Sequence, residues 1–71
     1  MNNRIKELRD KNGLSQGKLA ELCHVSRQTM NAIENNKYNP SLQLAFDIAH
    51  QLEVKMEELF IPSYSAGKKH V

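Results

Sequence analysis

Apolar residues recur at three- and four-residue spacing from residue 3 to 59, and no stretch shows the strict two-residue alternation of a half-buried strand. The pattern predicts an all-α fold of five helices. The first runs from about Asn3 to Asn12 with Ile5 and Leu8 inward, and Gly13 stops it where a left-handed backbone is usual. Leu14 then plugs the core. Ser15 is placed to cap a second helix, Gln16 to about Cys23, whose buried face carries Leu19, Ala20 and Cys23. Ser26 caps a third, reaching Glu34 or Asn35, with Met30 and Ile33 buried. So short a connection between the second and third leaves room only for a sharp turn, predicting a helix-turn-helix unit at about 15–34. Turn formers fill Asn35 to Pro40, a fourth helix spans about Ser41 to Leu52, and a shorter fifth lies around Lys55 to Leu59. Pro62, Ser63, Ser65 and Gly67 carry no helical signal. The folded domain is therefore expected at 5–60, with 61–71 a short extended tail.

The third helix carries the candidate chemistry. Each helical residue turns by about 100°, so with Met30 and Ile33 inward, Arg27, Gln28, Asn31, Ala32 and Asn35 fall on the opposite side. That outward set holds no carboxylate. A merely solvated helix face usually mixes Glu and Lys for ion pairing and helix propensity, and this one forgoes both. Its members match base edges in the DNA major groove: Arg donates twice to guanine, Gln and Asn pair with adenine through two bonds, and Ala meets the thymine methyl group. Arg27, Gln28, Asn31 and Ala32 are the expected base readers. Phosphate contacts should flank them, because backbone bonds position a protein while base contacts choose sequence. Gln16 is the upstream candidate, in the first turn of the second helix. Asn35, Lys37, Tyr38 and Asn39 offer amide, ammonium and hydroxyl donors downstream, although Asn39 before Pro40 is equally a turn signal.

At 71 residues the chain makes one domain with a single small core, too small for a catalytic cleft backed by a second layer. Cys23 stands alone on an apolar face, and His24, His50 and His70 are scattered without partners. We expect no catalytic residues, no metal site and no cofactor. No apolar run approaches the roughly 20 residues of a membrane span, and Met1-Asn2-Asn3-Arg4 lacks the apolar centre of an export signal. A cytoplasmic location is the expectation. Charge is polarised along the sequence: residues 1–40 hold seven basic and four acidic side chains, whereas residues 41–60 hold one Lys against Asp47, Glu53, Glu57 and Glu58. The first part is thus the better neighbour for a polyanion.

Together Leu14-Ser15-Gln16, Leu19-Ala20, Val25-Ser26, Ile33-Glu34, Asn39-Pro40-Ser41-Leu42, Ile48-Ala49 and Leu59-Phe60 resemble the Cro/CI-type, or Xre-family, helix-turn-helix regulators. The resemblance runs from about Ile5 to Phe60. Within that family, the run from Val25 to Asn31 and from Lys37 to Leu42 is similar to very short stand-alone bacterial repressors. The resemblance implies a five-helix, lambda-repressor-like domain that binds double-stranded operator DNA as a symmetric dimer. It also implies that Gln16 bonds a phosphate and supports Gln28, that Thr29 joins the groove-facing set at the backbone, and that Arg9 and Glu34 form a structural salt bridge. Two departures stand out. His24 occupies a turn position usually given to Gly, where a left-handed backbone costs a residue bearing a Cβ. Gly17 weakens the start of the second helix by about 0.5 to 1 kcal/mol relative to Ala.

The fourth helix carries an apolar arc of roughly 200°, wider than one core-facing stripe requires. Leu44, Phe46, Met56, Leu59, Phe60 and Ile61 are the candidates for a homodimer contact, which would set two reading helices about 34 Å apart. Ile61 to Tyr64 is a candidate edge strand for an N-terminal arm or a partner chain. A second functional reading stays open: an antitoxin or accessory regulator whose C-terminal end, including Ser63 to Val71, binds another protein.

Overall fold

The polar stretches between the apolar helical stripes become turns in the computed structural model, which describes residues 2–61. The proposed partner-binding end at Ser63 to Val71 lies outside the described residues. The order is β1 (Asn2–Asn3), α1 (Ile5–Lys11), α2 (Gln16–Leu22), α3 (Arg27–Glu34), α4 (Leu42–Leu52), α5 (Met56–Leu59) and β2 (Phe60–Ile61). Five helices therefore form where the periodicity puts them, α3 with its expected bounds and the other four a little shorter than expected.

The boundaries have local causes. Ser15, Ser26 and Ser41 each accept, through Oγ, the backbone N–H three residues ahead, which satisfies a donor that a helix start leaves unpaired. Gly13 ends the first helix with φ +69°, and His24 takes the expected left-handed turn position with φ 61°. Asn36 and Glu53 share that conformation, at φ 61° and 56°. A Cβ at Gly17 would meet only the Arg27 Cδ, at 3.8 Å, so α2 does not require glycine there for space.

Ile5, Leu19, Met30, Ile33, Ile48, Leu52 and Leu59 are the largest fully buried side chains and come from all five helices. Burying such a side chain stabilises the fold by about 1.5 to 3 kcal/mol each, which explains how α5, a single turn, is held in place. Leu14, Val25, Leu44, Val54 and Met56 pack around this core. Cys23 is also in it, and burial pushes its thiol above the usual range.

The strand at the C-terminal end begins one residue earlier than expected and pairs within the chain. Asn2 lies opposite Ile61 and Asn3 opposite Phe60, antiparallel. This pairing corrects two expectations. Leu59 is fully buried and is not available as a dimer contact, and Phe60, 9% exposed, reaches the surface only as part of the lining of an apolar depression. The N-terminal strand, which periodicity could not reveal in two polar residues, accounts for the cover over Phe60.

Candidate nucleic-acid interface

α3 is fixed from behind and from both ends. Met30 and Ile33 anchor its inner face in the core. At its N-terminus the Ser26 hydroxyl accepts the Thr29 N–H and donates to Thr29 Oγ1 at 2.9 Å. At its C-terminus Asn3 reaches across from β1, its Nδ2 donating to the Ile33 carbonyl at 2.9 Å and to Asn36 Oδ1 at 3.0 Å. The same Asn3 accepts the Ile5 N–H through Oδ1, so one side chain starts α1 and steadies the end of α3.

Arg9 and Glu34 are joined beneath the surface. Arg9 Nε donates to Glu34 Oε2 at 2.9 Å, Nη2 donates to Oε1 at 3.3 Å, and Nη1 donates to the Leu14 carbonyl at 2.8 Å. The two side chains are 9% and 5% exposed, deep enough that each ion needs the other. Gln16 Nε2 donates to Glu34 Oε1 at 3.2 Å. Gln16 is therefore oriented by Glu34, with its Oε1 left free among the described residues, beside Gln28 in a shallow surface depression.

The outward face of α3 is open. Arg27, Gln28 and Asn31 are exposed, and Ala32 and Thr29 are half-buried on its flanks. With Gln16, the first three line one shallow depression of about 290 Å³. Arg27 and Gln28 make no side-chain hydrogen bond or ion pair among the described residues, leaving their donors and acceptors free. Asn35, Lys37, Tyr38 and Asn39 follow as an exposed loop, with Asn35 Nδ2 bonded back to Asn31. Thus the structure gathers Gln16, Arg27, Gln28 and Asn31 and sets the loop residues at the far end of the helix.

Ion pairing sharpens the charge asymmetry. Glu7, Asp10, Glu21 and Glu34, the carboxylates of residues 2–40, are paired with Arg4, Lys6, Lys18 and Arg9. The hydrogen bond and charge of Arg4 hold the exposed Glu7 carboxyl below its usual range. Lys11, Arg27 and Lys37 are left without an acidic partner among the described residues. Two of the three sit on or just after the open helix, where an anionic backbone would find them.

Sequence reasoning missed Asn3 and Asn36, which hold the end of α3, and placed Leu42 in the wide apolar arc of α4 without counting it as a contact candidate, although at 68% it is the most exposed large apolar side chain among the described residues. Asn36 had a readable signal, since Asn is among the types enriched at positive φ. Asn3 had none, because its partners lie thirty or more residues away.

A family model described as helix-turn-helix matches residues 5–59. An uncharacterized helix-turn-helix-type transcriptional regulator of Methanocaldococcus jannaschii is 51% identical over 61 residues, spanning 86% of this chain and 92% of the relative. The restriction-modification controller protein C.AhdI of Aeromonas hydrophila superposes with a TM-score of 0.74 at 37% identity, covering 80% of this chain and 86% of that one. SinR, a master regulator for biofilm formation, solved in complex with DNA, superposes with a TM-score of 0.70 at 34% identity, covering 76% of this chain and 87% of the SinR chain.

Proposed function

This chain belongs to the Cro/CI-type helix-turn-helix family of transcriptional regulators, which are not enzymes, and from that premise we propose that it is a repressor binding a palindromic operator as a homodimer. α3 enters the major groove. Arg27, Gln28, Asn31 and Ala32 meet base edges, while Gln16, Thr29, Lys37, Tyr38 and Asn39 hold the sugar-phosphate backbone. The observation that carries this reading is the two-sidedness of α3: Met30 and Ile33 are sealed in the core, and the opposite side exposes uncharged amides and one unpaired Arg, with no carboxylate. The DNA complex of SinR supports the same use of the domain.

The dimer contact is proposed for the other end of the molecule. Leu42 and Phe46 lie one turn apart on α4 and are 68% and 52% exposed, with Ile61 44% exposed on the outer strand. Pro40, Leu42, Ala45, Met56 and Phe60 line an apolar depression of about 280 Å³ beside them. Met56 is half-buried in that lining, whereas Leu44, expected at the contact, lies on the opposite flank of α4 from Leu42 and Phe46 and packs against the core. Exposed apolar side chains grouped like this favour association, and a two-fold operation would make the contact self-complementary.

Footprinting on the promoter of the chain's own gene, repeated across a salt series, tests the reading. Neutralisation of phosphates predicts a discrete protected segment and a steep fall of affinity with salt. Uniform weak retention without a protected segment would refute sequence-specific binding.

A further inference from the structure

Asn35 Nδ2 lies 2.9 Å from the main-chain oxygen of Asn31 and 3.2 Å from the side-chain Oδ1 of Asn31. These two contacts settle how both amides are turned. A main-chain oxygen only accepts, so the Asn35 atom facing it must be the nitrogen. That nitrogen also faces the Asn31 side chain, and two amide nitrogens would both donate, so the Asn31 atom facing it must be the oxygen. Asn31 Oδ1 is drawn toward the next turn of the helix, and Nδ2 is the end of the amide left for an approaching ligand. Gln28, one turn earlier, has no such partner among the described residues and keeps both its donor and its acceptor.

We propose that Asn35 is a positioning residue that turns the donor end of the Asn31 amide outward, selecting a base that shows acceptors to the major groove. This rests on the DNA-binding reading above and specifies the ligand of that same surface. Guanine shows N7 and O6, both acceptors, and thymine shows O4. Adenine sets the N6 donor beside its N7 acceptor, and cytosine shows the N4 donor. An asparagine free to present both amide atoms to a base prefers adenine, whereas the bond from Asn35 turns Oδ1 along the helix, so that Nδ2 leads toward the groove although the oxygen keeps a second lone pair. Asn31 therefore reads guanine, or thymine, and the residue four positions away determines which chemistry it presents. On this reading Asn35 acts through Asn31 rather than as the phosphate contact expected from the sequence.

The test is selection of duplexes from a randomised pool by the full chain, its Asn31→Ala variant and its Asn35→Ala variant. Both side chains are exposed, so neither truncation removes core packing. The operator position whose preference disappears in Asn31→Ala identifies the base that Asn31 meets. That base is expected to be guanine or thymine for the native chain, and Asn35→Ala is expected to shift the position toward adenine by at least about fivefold, the lower end of what one good base contact supplies. Adenine at that position in the native chain overturns the proposal, as does no position responding to Asn31→Ala. A uniform loss of affinity in Asn35→Ala with unchanged preference also overturns it, and makes Asn35 a phosphate contact. All three outcomes leave DNA binding intact, whereas a native chain that enriches no duplex overturns the DNA reading and this assignment together.

Discussion

Glu34 is the residue on which the proposed reading surface and the core meet, since it accepts from Arg9 below and from Gln16 at the surface. Removing one member of such a pair strands a charge with little water around it. Arg9→Met is expected to destabilise the fold by about 3 to 5 kcal/mol, measured by urea unfolding. A loss under about 1 kcal/mol would mean that the pair is solvated. The exposed residues should behave differently from each other. Gln28→Ala is expected to relax base choice at one operator position by about 1 to 3 kcal/mol, whereas Lys37→Ala should weaken all sequences alike and lower the salt slope by about one. Parallel binding titrations on the operator and on scrambled DNA separate the two. The residue types of the reading face were legible because a helix face bearing neither Glu nor Lys is chemically unusual. The direction of each amide was not. It depends on hydrogen bonds at four-residue spacing, for which a sequence supplies candidates but no geometry.

The helical elements were legible for a different reason: their signals are local. Ser15, Ser26 and Ser41 cap the helices they precede, and Gly13 and His24 take left-handed backbone, because caps and turns are decided within four residues. Glu53 occupies the same left-handed position after α4 without a residue type that advertises it. Glu53→Gly is accordingly expected to raise stability by up to about 1 kcal/mol, since glycine carries no Cβ to strain there. Thermal unfolding of the variant checks the sign, and a fall in midpoint would show that the Glu53 side chain contributes more than its backbone costs. An edge strand at Ile61 was legible with an N-terminal arm as one of two possible partners, but the bounds of β1 and β2 and the choice of partner were not, because two-residue strands have no period and their pairing spans the whole domain. That gap is why Leu59 and Phe60 looked available from the sequence when the fold had already buried them.

At the scale of the molecule, the proposed function is divided between α3 and the α4–α5 surface. Carboxylates near α3 are neutralised by internal ion pairs, while Asp47, Glu53, Glu57 and Glu58 leave the α4–α5 end acidic against a single Lys55. On the proposed reading this asymmetry favours DNA at the α3 end and leaves the apolar Leu42 and Phe46 as the proposed contact for a second copy. Phe46→Glu is expected to shift sedimentation toward monomer and weaken operator binding at least tenfold, with circular dichroism unchanged because the ring is 52% exposed. An unaltered dimer would move the contact elsewhere on the surface. The claim beneath all of this is that the outer side of α3 lies in a major groove, and methylation interference tests it most directly, because guanine N7 opens into that groove and adenine N3 into the minor one. The account predicts that methyl groups on guanine N7 block binding in two clusters about one helical turn apart. Binding that ignores N7 methylation and fails when adenine N3 is methylated would contradict it.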